Sequence, residues 1–346
     1  MSRPRAILFA FALGTGALGA QAAAPPASPR AAAPSPGRQP AAPPAGPQAA
    51  APSPGQQHVA PPLHINLDAF DGAKKILLLP NGEHLAYIDM GDSTGPPVVL
   101  IHGYTDNARD WVPLIPFLNK HYRLIVVDIR GHGRSDKPEC CYAKIDFAYD
   151  MKLLLDSLHI QKADIVGHSL GSMITQVLAE EWPERVRKVI LISSTGGANP
   201  GTVGKPGTVP KKPSYDFAAQ IRQLQEPVDP DSPFMIEWWA SPKPVNEEFI
   251  RRQRRDAANI PLAVWLAVLE QGVNPADLQS TLPKLKAPTL LIWGSDDPIM
   301  EEEVRQSLRE ALPAAKVKVF AGLGHNPFWE EPEAVAKVVN GFLNAP

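Results

Sequence analysis

Residues 162–171 read KADIVGHSLG, and the helical pattern MITQVLAEEW follows at residues 173–182. A short apolar run therefore ends at Ser169, which has Gly167 two residues before it and Gly171 two residues after it. Glycine has no Cβ, so these two positions allow a sharp bend and close packing of a helix against a strand. The residue in the bend is driven into an unfavourable backbone conformation with its side chain exposed. A serine at such a strand-to-helix turn is predicted to be a nucleophile.

The start of the chain has the pattern of a secretory signal peptide. A basic beginning is followed by an apolar stretch at residues 6–18 and by the small-residue pattern A-x-A at residues 20–22. This combination predicts a cleaved signal peptide at residues 1–22. The apolar stretch is short for a bilayer span and no stop-transfer segment follows it. We therefore expect no transmembrane segment after signal removal, and export to the periplasm or the extracellular medium.

Residues 23–62 contain 13 prolines and 13 alanines among 40 residues. Such a composition cannot build a hydrophobic core and predicts an extended, disordered linker. The folded domain is therefore expected at residues 63–346. The net charge of −2 argues against nucleic acid as a partner.

The chain has two cysteines, Cys140 and Cys141, and they are adjacent. A bridge between neighbours joins no distant segments, so the fold is not expected to depend on disulfides. Two free thiols in a loop and a vicinal, redox-sensitive disulfide are both compatible with this pair.

Short apolar runs alternate with helical patterns along the rest of the chain. This alternation predicts an α/β fold with a mostly parallel, eight-stranded sheet and helices on both faces. The first two strands are expected to form a hairpin around Pro80-Asn81-Gly82. The expected strands are residues 75–79, 84–89, 96–103, 122–131, 163–169, 186–194, 287–294 and 315–322, and the expected helices are residues 111–119, 147–158, 172–182, 301–312 and 333–343.

The interval at residues 196–282 interrupts this alternation, because it has helical patterns and no strand-like run. An insertion of this size after the sixth strand predicts a helical lid over a pocket. Its tryptophans, Trp238, Trp239 and Trp265, are expected either to form the core of the lid or to line a substrate pocket. The arginines of RRQRR (251–255) cover one broad helix face, as a solvated surface or as an anion-attracting rim.

Four motifs occur in the order typical of a known family. They are GHSLG (167–171), IHGY (101–104), WGSDDP (293–298) and GLGHNPFWEEP (322–332), and VDIRGHGRSDKP (127–138) is a further similarity. Together they resemble the α/β-hydrolase fold, in its branch of small-molecule esterases, lactonases, epoxide hydrolases and dehalogenases, over residues 63–346. The resemblance implies a catalytic triad in the chain order serine, acid, histidine.

A serine hydroxyl becomes a good nucleophile when an imidazole takes its proton and an acid orients that imidazole. The resemblance assigns Ser169 as the nucleophile and His325, on the loop after the last strand, as the base. The family spacing W-G-x-x-D selects Asp297 as the acid and leaves Asp296 as a solvated neighbour. Asp128 is expected to be structural.

The other glycine-flanked histidines are expected to have supporting roles. His102 and His132 are expected to stabilise tight turns, and His168 to lie in the pocket wall or to pack. The resemblance places the oxyanion hole at the backbone N–H groups of Tyr104 and Leu170.

These residues predict an exported serine hydrolase that cleaves a small carboxylic ester or lactone through an acyl-enzyme. Dehalogenases and epoxide hydrolases of this fold use an aspartate where this chain has Ser169, which disfavours their activities. A C–C bond hydrolase of the meta-cleavage type shares the triad, and a ligand-binding pseudoenzyme is a third alternative. We expect a small-molecule substrate, no cofactor and no metal.

Overall fold

A computed structural model describes residues 59–196, 217–274, 278 and 281–346. The predicted signal peptide, most of the predicted linker and the beginning of the predicted lid lie outside these residues. In the described part, eight strands form one sheet. The strands are β1 (Lys75–Leu78), β2 (His84–Gly91), β3 (Pro97–Ile101), β4 (Arg123–Asp128), β5 (Ala163–His168), β6 (Val186–Ile192), β7 (Thr289–Gly294) and β8 (Lys316–Phe320).

The order of the strands in the sheet is β1-β2-β4-β3-β5-β6-β7-β8. β2 is antiparallel to β1 and to β4, and the other neighbours are parallel. The predicted mostly parallel sheet and its opening hairpin are therefore confirmed. Every residue of β5 and of β7 is buried, as expected for central strands covered on both faces.

Ten α-helices occur in the described part of the chain. They are α1 (Leu67–Gly72), α2 (Lys144–Ser157), α3 (Leu170–Glu181), α4 (Phe217–Ile221), α5 (Pro233–Trp238), α6 (Glu247–Ala258), α7 (Leu262–Ala267), α8 (Glu302–Ala311), α9 (Pro327–Glu330) and α10 (Pro332–Leu343). A π-helical turn, Val268–Val273, follows α7 directly. We call the described residues 217–274, which lie between β6 and β7, the insertion. No helix among the described residues is both long enough and apolar enough to cross a bilayer.

The helix predicted at residues 111–119 is wrong. The structure has two 3₁₀ turns there, Ala108–Trp111 and Ile115–Phe117. Pro113 and Pro116 fall in this stretch. Proline has no backbone N–H and its ring clashes with the preceding turn, so a continuous helix cannot form.

Two surface features that the sequence left open are described by the structure. Cys140 and Cys141 form a vicinal disulfide on an exposed loop. In RRQRR, Arg251 and Arg252 pair with Glu248, and Arg254 pairs with Asp231. These ion pairs favour the solvated-surface interpretation of this helix face.

Candidate active site

Ser169 lies in the bend between β5 and α3 with a backbone φ of +50°. This conformation is rare for a residue with a side chain. A Cβ on Gly167 would come within 2.3 Å of the carbonyl oxygen of Gly171, and a Cβ on Gly171 within 2.2 Å of that of Ile101. Both glycines are therefore needed for the close approach of backbone that the strained turn requires.

His325 and Asp297 form a hydrogen-bonded pair. The imidazole Nδ1 lies 2.9 Å from Oδ2 of Asp297. Oδ1 of the same carboxylate accepts the backbone N–H groups of Ile299 (2.8 Å) and Met300 (3.0 Å). Burial by itself would raise the pKa of Asp297, but His325 and the two N–H donors hold this pKa below its usual value. The ionised carboxylate keeps the proton on Nδ1 and leaves the Nε2 lone pair free.

Two side chains bind the backbone carbonyl of His325. It accepts hydrogen bonds from Oγ of Ser193 (2.7 Å) and from Nε2 of His168 (3.0 Å). A carbonyl can only accept, so Nε2 of His168 carries a proton. The role of Ser193 was not predicted from the sequence.

The second carboxylate of the WGSDDP motif has a different environment. Asp296 is exposed, and its Oδ1 accepts a hydrogen bond from Oγ of Ser295 (2.6 Å). Asp297 is 5 % exposed and contacts His325. The structure thus places Asp297, and not Asp296, against His325, as the family spacing predicts.

The two expected oxyanion donors are at the same end of the sheet as Ser169. Leu170 is the first residue of α3, where backbone N–H groups have no partner within the helix. Tyr104 lies on the loop after β3. Within the residues described, neither backbone N–H has an acceptor, so both are available to a ligand.

Two buried histidines support the loop that carries Tyr104. His102 accepts the N–H of Ile129 at Nε2 (3.1 Å) and donates from Nδ1 to the carbonyl of Gly103 (2.8 Å). His132 accepts the N–H of Thr105 at Nε2 (3.2 Å). Burial lowers the pKa of His102 to about 3 and that of His132 to about 4. Both imidazoles are therefore neutral near pH 7, and both stabilise turns as expected.

Asp128 is structural, as expected. Its buried carboxylate accepts hydrogen bonds from Nζ of Lys74 (2.9 Å) and from the backbone N–H groups of Ala108 (2.7 Å) and Arg134 (2.8 Å). These bonds join the chain before β1 to the loops after β3 and β4.

A cavity of about 520 Å³ joins the side chains of the candidate site. Ser169, His325 and His168 line it, as do Trp238 and Trp239 from the insertion. The remaining described lining residues are Tyr104, Asp106, Met173, Glu237, Ala240, Ser241, Pro242, Leu269, Val273, Asp296, Pro298, Ile299, Met300, Asn326 and Trp329. The described part of the predicted lid therefore forms one wall of this cavity.

Trp265, a candidate for either the lid core or the pocket, lies behind the cavity wall. Its side chain is fully buried and packs against the rings of Tyr104 and Trp238. Its indole N–H donates to the carbonyl of Ala257 (3.2 Å). The ring of Trp265 therefore belongs to the core of the insertion, and of its two predicted positions the pocket position is wrong.

Three of the hydrogen bonds between the insertion and the loop after β3 involve residues 104–106. The hydroxyl of Tyr104 donates to the carbonyl of Trp265 (2.7 Å), and Nε1 of Trp238 donates to Oγ1 of Thr105 (2.9 Å). Nε1 of Trp239 lies 3.4 Å from Oδ1 of Asp106. The loop expected to hold the oxyanion is thus attached to the wall of the substrate cavity.

Asp106, Asp110 and His168 form a buried group. Their ligand atoms lie within 4.8 Å of one another, near enough for a metal ion. Nδ1 of His168 lies 3.5 Å from Oδ2 of Asp110, and Oδ1 of Asp110 accepts the indole N–H of Trp329 (2.8 Å). Burial, and then the charge of Asp110, raise the pKa of Asp106 well above its usual value. A proton on Asp106 would reduce the repulsion between the two carboxylates.

Glu330 is a further residue that the sequence reasoning missed. It is 4 % exposed and accepts the N–H of Gly324 (2.8 Å) and that of Lys243 (3.2 Å). It therefore links the loop that carries His325 to the insertion. Burial raises the pKa of Glu330 to about 7.

Comparisons with known proteins agree with this geometry. The profile of the alpha/beta hydrolase fold matches residues 96–332. The chain is 29 % identical to the 2-hydroxy-6-oxononadienedioate/2-hydroxy-6-oxononatrienedioate hydrolase of Paraburkholderia phymatum, over 78 % of this chain and 95 % of that protein.

Two solved structures share the fold at lower sequence identity. An esterase from Exiguobacterium antarcticum superposes with a TM-score of 0.66 at 23 % identity, covering 78 % of this chain and 99 % of that one. An enol-lactonase from Burkholderia xenovorans superposes with a TM-score of 0.64 at 23 % identity, covering 78 % of this chain and 100 % of that one. Because the family profile matches well over half of the chain, the protein belongs to the α/β-hydrolase family and is a hydrolase.

Proposed function

We propose that this protein is an exported serine hydrolase that cleaves a small carboxylic ester or lactone through an acyl-enzyme. One observation carries the proposal. A serine in a strained elbow and a histidine paired with a buried, ionised aspartate face the same cavity. This combination is the one that activates a hydroxyl for acyl transfer.

In the first half of the reaction, Nε2 of His325 takes the proton of Ser169 while the serine Oγ bonds to the substrate carbonyl carbon. The carbonyl electron pair moves to oxygen, where the N–H groups of Tyr104 and Leu170 stabilise the negative charge. The intermediate collapses, the bond to the alcohol oxygen breaks, and the imidazolium gives its proton to that oxygen. Asp297 stabilises the imidazolium throughout.

In the second half, a water molecule replaces the alcohol. His325 takes one proton of the water as its oxygen attacks the acyl carbon, and the same two N–H groups bind the second oxyanion. The acyl–oxygen bond to Ser169 then breaks, and the proton returns from His325 to Oγ. The second half thus releases a carboxylic acid and regenerates the enzyme. The proposed reaction consumes only the ester and water and requires no cofactor.

The cavity supports a small or medium-sized substrate. Its volume of about 520 Å³ lies in the range of pockets that bury drug-sized ligands, roughly 300–1,000 Å³. The rings of Trp238 and Trp239 and the side chains of Met173, Leu269 and Val273 make much of its wall apolar.

The charge of the cavity favours an ester or lactone over the C–C bond alternative. The Paraburkholderia relative is named for a substrate with two carboxylates. Among the described lining residues there are two exposed carboxylates, Glu237 and Asp296, and no lysine or arginine. Placing a dianion beside these carboxyl groups without a cation would be unfavourable.

A substrate panel tests the proposal. Purified protein is assayed with short p-nitrophenyl esters, an aryl lactone and a 2-hydroxy-6-oxo-dienoate. We expect kcat/KM for the best ester or lactone to exceed that for the dienoate by about 100-fold or more, about 2.7 kcal/mol of transition-state binding. A dienoate preference would indicate the C–C hydrolase, and no turnover of any compound would indicate the pseudoenzyme.

A further inference from the structure

Two exposed carboxylates line the substrate cavity and come from different parts of the chain. Glu237 comes from α5 in the insertion, and Asp296 comes from the loop after β7. Neither forms an ion pair with any lysine, arginine or histidine of the described chain. Their charges are therefore not neutralised by the described residues around them.

The basic side chains nearest in sequence to this wall are already paired. A neighbouring groove shares Trp239 with the cavity and contains Lys243, Arg251 and Arg254. Lys243 pairs with Glu331, Arg251 with Glu248, and Arg254 with Asp231 at 2.7 Å. These cations are paired with other carboxylates, and none of them forms an ion pair with Glu237 or Asp296.

An aromatic surface lies next to the carboxylate of the insertion. Trp238 follows Glu237 directly, and its ring is partly exposed and lines the cavity. The ring is fixed by stacking on Phe234, with 5.8 Å between centroids, and by the hydrogen bond from its Nε1 to Thr105. Its other ring contacts are with Tyr104, Trp239 and Trp265. The part of the indole that lines the cavity can offer a cation–π contact to an alkylated ammonium group, which the carboxylates of the same lining would attract by charge.

We propose that the cavity selects esters that carry a quaternary ammonium or protonated amine group in addition to the scissile bond. This inference rests on the proposed ester hydrolysis and names the class of its preferred substrate. Glu237 and Asp296 attract the positive group and Trp238 contacts it, while the uncharged ester carbonyl lies at Ser169. Anionic esters are rejected by the same two carboxylates.

A pair of isosteric thioesters tests this preference. Acetylthiocholine carries a trimethylammonium group, and S-(3,3-dimethylbutyl) thioacetate replaces its nitrogen with carbon at nearly the same volume. We expect kcat/KM for the charged thioester to exceed that for the neutral one by about tenfold at low ionic strength. This is the scale of one exposed charge attraction combined with one cation–π contact. The ratio should fall as salt screens the charges.

Variants identify the side chains responsible. Glu237→Gln and Asp296→Asn should each lower the ratio, and the double variant should bring it close to 1. Glu303→Gln is the matched control, because Glu303 is an exposed carboxylate on α8 outside the cavity. It should leave the ratio unchanged.

The outcome separates this inference from the proposed function. If both thioesters are hydrolysed with a ratio near or below 1, or if the double variant keeps the ratio, the cation preference is wrong while ester hydrolysis stands. If neither thioester is a substrate, choline and 3,3-dimethylbutan-1-ol are compared as inhibitors of p-nitrophenyl acetate hydrolysis. Choline should then inhibit about tenfold more strongly, and equal inhibition would overturn the inference.

Discussion

At the scale of single residues, the two adjacent aspartates differ in what surrounds them. Asp297 has an imidazole on one oxygen and two backbone N–H groups on the other, while Asp296 is exposed to solvent. The family spacing was enough to distinguish them, because a loop of constant length after a strand places the same position against the histidine.

Asp297→Asn should lower kcat for a neutral ester by orders of magnitude, roughly 10⁴-fold as in the best-studied triad, because an amide favours the wrong imidazole tautomer. Asp296→Asn should lower it far less. Steady-state kinetics on p-nitrophenyl acetate measures both. The reverse ranking would show that Asp296 is the acid.

The supporting contacts of the site were not predictable in the same way. Ser193, His168 and Glu330 bind backbone groups of the loop around His325. A hydrogen bond from a side chain to a distant main-chain group leaves no pattern of spacing. It depends on which loops meet, and therefore on the fold itself.

At the scale of elements, the insertion contributes both a core and a cavity wall. Trp265 is fully buried, whereas the ring of Trp238 is partly exposed to the cavity. The sequence showed that tryptophans were concentrated here, but it did not distinguish their two environments. That distinction depends on how α5 and α7 pack against the loop after β3.

Trp265→Ala should therefore destabilise the fold by about 3–5 kcal/mol, the usual cost of removing a large buried side chain. Trp238→Ala should instead change specificity, altering the kcat/KM ratio between a long and a short p-nitrophenyl ester by about tenfold. Denaturant unfolding and kinetics on both variants check the two effects. If Trp238→Ala leaves the ratio unchanged, specificity comes from another part of the cavity.

Glu330 makes the link between the insertion and the loop of His325 sensitive to pH. Burial raises the pKa of Glu330 from 4.5 to about 7, so the folded state disfavours the ionised form relative to the unfolded chain. The stabilising contribution of the protonated group is complete below pH 4.5 and is lost as the pH rises through about 7.

Glu330→Gln removes this titration. The melting temperature of the variant, relative to that of the parent protein, should therefore increase between pH 5 and pH 8. Differential scanning calorimetry at both values measures it. A difference in melting temperature that does not vary with pH would contradict the role assigned to burial.

Strands were easier to predict than helices in this chain. The central strands are continuous apolar runs bounded by glycine, proline or charged residues, and both their number and their positions are confirmed. The helix predicted at residues 111–119 does not form, because Pro113 and Pro116 lie within it. Backbone constraints override periodicity when proline falls inside a turn.

At the scale of the whole molecule, parallel strands explain how distant motifs form one site. Ser169, Asp297 and His325 follow β5, β7 and β8, whose carboxyl ends lie at the same edge of the sheet. The sheet could be predicted from the sequence, and with it the meeting of these loops. The substrate could not, because it depends on cavity shape and charge.

The proposed export of the protein rests on the signal-peptide pattern of residues 1–22. We expect processing after Ala22, so that the mature protein begins at Ala23. Amino-terminal sequencing of protein from the periplasm or the culture medium of an expressing cell measures this. Unprocessed protein beginning at Met1 and retained inside the cell would contradict it.

The central claim is that Ser169 is a nucleophile activated by His325 and Asp297. Mass spectrometry after treatment with a fluorophosphonate tests it most directly, because this reagent reacts covalently with activated serines. We expect one adduct, on the peptide that contains Ser169, and none in Ser169→Ala, whose melting temperature should stay close to that of the parent protein. An adduct that persists in the alanine variant, or an unmodified Ser169 in the folded parent protein, would contradict the account.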